Sequence, residues 1–200
     1  MKGWGTVNVR EERHLKKLST KTVVLIGLLA ALVAIGTLLI QIPIPKGYIH
    51  IGDSLVYLSG IVLGPVYGAF AAGIGSMIAD FLSGYTIYAP ATLVIKALDA
   101  FLAGWIFRAF YHKGQSLARL TGAYIVAFIA GGVCMIGGYL VYEYFLYGFA
   151  QAVAGVPYNM TQAIGGGIVG YPLLIAFKKA NLLKPLNLDE IDTFSDKDRK

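Results

Sequence analysis

Long apolar stretches follow one another between two charged tails, and no other feature constrains this chain as tightly. Six of its 17 Lys and Arg residues precede Thr22 and six more lie from Lys178 onward. Only 14% of the 200 residues are charged, against roughly 25% in an ordinary soluble domain. A membrane-crossing helix needs roughly 20 predominantly apolar residues, and the middle of the chain supplies several. The sequence therefore predicts an all-α, polytopic membrane protein. Its basic residues flank apolar spans instead of forming a recognition patch, which argues against nucleic acid despite a pI of about 9.3.

Hydropathy and Gly/Pro punctuation divide the chain into a basic tail (1–20), a six-helix membrane domain (21–180) and a second tail (181–200). The expected spans are Thr22–Ile42, Ser54–Leu63, Val66–Ser83, Pro90–Tyr111, Leu120–Tyr147 and Pro157–Phe177. The second is too short to cross as a straight, lipid-exposed helix and must be sheltered by its neighbours. Glu11 and Glu12, the length of the first apolar run, and Pro43 and Pro45 after it all speak against a cleaved leader. Fifteen of the 17 Lys and Arg fall in the tails or in the loop carrying Arg108, Lys113 and Arg119. The positive-inside rule then places both termini in the cytoplasm.

Ionisable side chains inside spans cost at least ~2.5 kcal/mol at mid-helix, so each is a functional candidate. Asp80, Lys96, Asp99 and Glu143 are such residues. At about 1.5 Å per residue, Asp80 and Glu143 lie about one turn below the outer ends of their helices, and Lys96 roughly 10 Å down. Asp80 with Lys96 is the expected structural charge pair, with Lys96–Asp99 as the other pairing. Glu143 lies one turn beyond Tyr139 and next to Tyr142, and this face suits a flat ligand with polar edges. Tyr88, Asn159 and Gln162 approach the same level. Tyr48, Tyr85, Tyr144, Tyr147 and Tyr158 also cluster there, as interfacial tyrosines do. His50 and Asp53 sit on the loop after the first helix, expected to be a lid or wall, with Asp53 as an alternative cap of the second helix. They make a poor metal site, and no metal or cofactor is expected. Cys134 has no partner in the chain and reads as a small buried hydrophobe.

Gly27, Ala31 and Ala34 form a small-residue stripe on the first helix, overlapped by Ala30 and Ala34 at i, i+4. Such stripes admit close helix approach. The chain carries no phosphate-cradling Gly-rich loop with Lys and Ser/Thr, so it is expected to carry no ATPase of its own and not to be an enzyme.

Several segments together resemble the substrate-binding S components of energy-coupling-factor (ECF) transporters. They are His50-Ile51-Gly52-Asp53, Leu63-Gly64-Pro65-Val66-Tyr67-Gly68-Ala69, Ala79-Asp80-Phe81-Leu82-Ser83-Gly84-Tyr85 and Tyr88-Ala89-Pro90-Ala91-Thr92-Leu93-Val94-Ile95-Lys96. The resemblance is greatest to the riboflavin, hydroxymethylpyrimidine and pyridoxine-type group. It implies a six-helix bundle in the cell membrane that captures a small heteroaromatic vitamin or precursor at an outward-facing site. It also implies a membrane-spanning T component and two cytoplasmic ATPases as partners, with Ala30 and Ala34 matching the family's docking pattern. The expected ligand contacts are Glu143, Tyr139, Tyr142, Asn159, Gln162, Lys96, Tyr88 and His50. The competing reading is a stand-alone ion- or proton-coupled carrier with Asp80, Lys96 and Asp99 as its relay. A membrane enzyme lacks a nucleophile–base constellation, and a sensor would bind no small heterocycle.

Overall fold

The structure, a computed structural model, describes residues 20–39, 41–44, 47–112, 115–181 and 183. Most of both basic tails, together with Lys46 and Lys113, lies outside the described residues.

Six helices and one hairpin follow in order: α1 (Thr20–Leu39), β1 (Gln41–Ile44), β2 (Gly47–His50), α2 (Gly52–Leu63), α3 (Pro65–Leu82), α4 (Ala89–Phe110), α5 (Leu117–Tyr147) and α6 (Phe149–Lys179). By length and composition α1, α3, α5 and α6 suffice to cross a membrane. In α4, Lys96, Asp99 and Arg108 interrupt 22 otherwise mostly apolar residues. The exposed side chains along the outer faces, among them Leu28, Phe70, Trp105, Ile129, Val133 and Ile168, are those a hydrocarbon solvent accepts.

Local sequence explains where the helices stop. Gly64 and Gly148 both have positive φ, +89° and +83°, a backbone state that costs side-chain-bearing residues but not glycine. Each reverses the chain in a single residue, α2 into α3 and α5 into α6. Pro65 then opens α3, where its missing N–H costs nothing. Ser116 caps α5 by accepting the Arg119 N–H at 3.3 Å.

The short helix α2 is the interior of the bundle. It touches α1, α3, α4 and α6, while α1, α3, α4, α5 and α6 pack in that order around it. All but two of its 12 residues are buried. Glycines make this possible. A Cβ on Gly60 would lie 1.9 Å from the Ala100 carbonyl oxygen of α4, and one on Gly68 of α3 would lie 2.4 Å from that of Ser59. Tyr57 of α2 and Tyr124 of α5 tie their helices to α6, donating to the Ala163 and Gly167 carbonyls at 3.3 Å and 2.8 Å.

Two sequence expectations are corrected here. The first span ends at Leu39, and Gln41–Ile44 instead forms a strand, pairing antiparallel with Gly47–His50. The sixth helix begins at Phe149, so the stretch expected as a loop before Pro157 is helical and both Pro157 and Pro172 lie inside α6. In a membrane bundle the neighbouring helices and hydroxyls shelter the backbone groups that proline frees.

Candidate functional site

The hairpin, the α3–α4 turn and the α5–α6 turn share one end of the bundle. Gln41 Nε2 donates to Ser83 Oγ at 2.7 Å, and the Tyr142 hydroxyl donates to the Ile87 carbonyl. At the opposite end Arg119 Nε donates to the Phe110 carbonyl at 3.3 Å, and Lys178 and Lys179 occupy the last turn of α6.

A buried polar cluster lies inside the hairpin end. Asp53, in the first turn of α2, is fully buried, and Lys96 of α4 is 1% exposed. Lys96 Nζ pairs with Asp53 Oδ1, while Asp53 Oδ2 accepts from Gln162 Nε2 at 3.1 Å. Lys96 also donates to the Met135 thioether at 2.7 Å and lies 5.8 Å from the centre of the Tyr139 ring, within cation–π range. Gly166 explains how α6 comes so near: a Cβ there would stand 2.6 Å from that of Asp53.

This corrects the expected charge pair. Lys96 bonds neither Asp80 nor Asp99, because it shares a helical face with Ala100 and Gly104, the face turned to Gly60 of α2. Asp80 stays on α3, nearly buried, its carbonyl accepting from Tyr85 N at 2.9 Å. Asp99 is fully buried one turn below Lys96 and points at α5, with Oδ1 2.2 Å from the position of a Cβ on Gly131. Asp53 makes no side-chain cap of α2.

His50 closes the cluster beside the hairpin. Its Nδ1 accepts the Gly52 N–H at 3.0 Å, so the neutral ring carries its proton on Nε2. Burial pushes the imidazole from its ordinary 6.5 down to about 4, with Asp53 acting upward and Lys96 downward. It is neutral at physiological pH.

A second, aromatic layer lies nearer the turns. The Tyr88 ring stands 6.5 Å from that of Tyr139 and 5.8 Å from that of Tyr142, edge-on to the latter. Thr92 Oγ1 and the Tyr139 hydroxyl are hydrogen-bonded at 3.0 Å. Glu143 is buried beside them, close enough to act electrostatically on Tyr88. Its Oε2 lies 2.5 Å from where a Cβ on Gly155 would be, so the carboxyl occupies the notch that this glycine leaves in α6. Asn159 is half-buried one turn further along. Three helices, α4, α5 and α6, thus bring an acid, phenols and amides to one end of the bundle. Such a layer can stack on a flat ring and accept hydrogen bonds from its rim. Among the described residues no group of three or more His, Cys, Asp or Glu is placed to hold a metal ion.

The family model for the ECF-type riboflavin transporter S component matches residues 17–179. The chain belongs to this family. A Pyrococcus woesei protein described as "Uncharacterized protein in gap 3'region" is 36% identical over 149 residues, 74% of this chain and 95% of that one. The thiamine precursor transporter HmpT of Lactococcus lactis subsp. cremoris (strain MG1363) is 23% identical over 180 residues, covering 88% and 96% of the two chains. A solved structure, described as "Structure and mechanism of the S component of a bacterial ECF transporter", superposes with a TM-score of 0.57 at 25% identity. It covers 82% of this chain and 98% of its own. The protein is therefore a membrane transport S component of a vitamin transporter family.

Membership directs attention to the docking residues of α1, and there the structure departs from expectation. Ala30 and Ala34 are each only 7% exposed. Ala30 faces α3, where a Cβ on Gly75 would lie 2.3 Å from its carbonyl oxygen. The exposed small residues of α1 are Gly27 and Ala31, and nothing lies within 4 Å of a Cβ on Gly27.

Sequence reasoning missed Asp53 as a site residue, as well as Met135, Thr92 and Gly155. Asp53 had a usable signal: a buried lysine needs a buried carboxylate, and Asp53 is the one acid of the short inner helix. Met135 and Gly155 carried none.

Proposed function

We propose that this S component captures a small, water-soluble heteroaromatic vitamin or precursor, of riboflavin, pyridoxine or hydroxymethylpyrimidine type, at the hairpin end. Glu143 is the observation that carries the reading. It is a buried acid beside Tyr88, Tyr139 and Tyr142 at the mouth of the bundle, placed to accept two hydrogen bonds from an amino-substituted ring or to pair with a protonated ring nitrogen. Tyr139, Tyr142 and Tyr88 are the stacking surfaces and Asn159 a rim contact. Lys96 and Gln162, both bonded to Asp53, form the floor with His50. The family and the thiamine precursor transporter among the relatives support the substrate class.

The hairpin end faces outward and both termini are cytoplasmic in this reading, which rests on Arg108, Arg119, Lys178 and Lys179 belonging to the other end. Import then requires a membrane-spanning T component and two cytoplasmic ATPases. The T component docks on the exposed α1 face at Gly27 and Ala31, where small residues admit close approach.

The test is a fluorescence titration of the purified protein in detergent with riboflavin, pyridoxine, thiamine and hydroxymethylpyrimidine, run beside Glu143→Gln. Saturable binding of one of them, weakened at least tenfold in the variant, is expected. Folded protein that binds none of the four refutes the proposal.

A further inference from the structure

Resting on that reading of the site, we propose that Asp53 sets the charge of the ligand the protein accepts. By holding the Lys96 ammonium, Asp53 makes the site admit neutral or protonated heterocycles and reject their phosphorylated forms.

An ammonium group has three N–H donors and no acceptor. Two of those on Lys96 go to Asp53 Oδ1 and Met135 Sδ, and the group lies below the Tyr139 ring at 1% exposure. Gln162, the other donor at that depth, is likewise turned to Asp53. The remaining described Lys and Arg residues, Lys21, Arg108, Arg119, Lys178 and Lys179, belong to the far end of the bundle. Among the described residues, therefore, the one Lys or Arg at the hairpin end, Lys96, already has an anionic partner. Carboxylates, by contrast, are present on three helices there: Asp53 on α2, Asp80 on α3 and Glu143 on α5.

A phosphate monoester brings ≈ −1.5 to −2 charge at neutral pH and three strong acceptor oxygens. Arginine and lysine are its strongest side-chain donors, and burying its charge without a cationic partner is costly. Lys96 is chemically suited to that task and lies directly beneath the aromatic layer. Its pairing with Asp53 is what withdraws it. Asp53 is thus a specificity-determining residue that acts through Lys96 and not by touching the ligand.

The experiment compares matched pairs on the purified protein by competition titration: riboflavin with flavin mononucleotide, pyridoxine with its 5′-phosphate, and hydroxymethylpyrimidine with its phosphate. The unphosphorylated member of the pair that binds is expected to bind at least tenfold more tightly. In Asp53→Asn, with Lys96 released, the ratio is expected to shrink by tenfold or more, and Asp53→Asn with Lys96→Met is expected to restore it. Equal affinity for both members in the wild type overturns this inference while leaving the proposed function standing, and so does an unchanged ratio in Asp53→Asn. Absence of binding by every compound overturns both. Should Asp53→Asn not fold, Asp53→Ser, which also releases Lys96, is read in the same way, and an unchanged ratio there overturns the inference.

Discussion

Lys96 of α4 forms its ion pair with Asp53 of α2, 43 residues earlier, and both side chains are sealed from solvent. Removing one partner of a buried pair leaves an uncompensated charge, at a cost of about 3–5 kcal/mol, whereas removing both is often close to neutral. Asp53→Asn and Lys96→Met should each destabilise the purified protein by about 3 kcal/mol. The double variant should recover most of that loss. Thermal unfolding followed by intrinsic fluorescence gives the comparison, and strictly additive losses would show that the two residues do not act as a pair.

Glu143 depends on a glycine it does not bond. A methyl group at position 155 would stand 2.5 Å from Oε2, so Gly155→Ala must displace the carboxyl. Vitamin affinity should fall by at least tenfold while unfolding temperature changes little, because the side chain can swing toward the open end. Unchanged affinity in this variant would place ligand recognition elsewhere.

Gly60 answers a different question, the closeness of α2 to the wall. Its added Cβ would meet the Ala100 carbonyl at 1.9 Å, backbone against backbone, and neither helix can give way without disturbing the rest. Overpacking of this kind typically costs about 1–3 kcal/mol and occasionally more. Gly60→Ala should reach the upper end of that range, seen as a lower unfolding temperature or loss of folded protein. Gly122→Ala, whose Cβ would meet nothing within 4 Å, is the control and should behave as wild type.

His50 contributes a defined pH dependence. Its folded value of about 4 lies below the ordinary 6.5, so the unfolded chain takes up the proton first as pH falls. The stability it supplies is complete above pH 6.5 and is lost between 6.5 and about 4. Unfolding temperature should decline over that window more steeply in the wild type than in His50→Gln. His50 should add no pH dependence to ligand affinity between pH 6.5 and 8, since the ring is already neutral there.

Legibility from sequence followed a physical divide. The lipid-facing side of each helix announces itself, because hydrocarbon tolerates only apolar side chains, and the short α2 could be read as sheltered from its length alone. Tyr139, Tyr142 and Glu143 were legible as a group for a similar reason: they lie on one helix, and helical spacing brings neighbours together without reference to other elements. Pro157 misled because its rule is learned from soluble helices, and the stretch before it turned out to continue α6.

The membrane class, the number and approximate extent of the helices, and the end of the bundle that gathers polar side chains are all written in the order of residues along the chain. All of these follow from local hydropathy, backbone chemistry and charge placement along one chain. That Lys96 meets Asp53 and not Asp80, that Ala30 and Ala34 are buried, and that Glu143 fills the notch at Gly155 emerges only in the packed bundle. Those outcomes depend on how each helix is rotated about its axis relative to its neighbours. That rotation is set by glycine contacts such as Gly60 on Ala100 and Gly166 on Asp53, between residues far apart in the chain, and no period within a single helix encodes it.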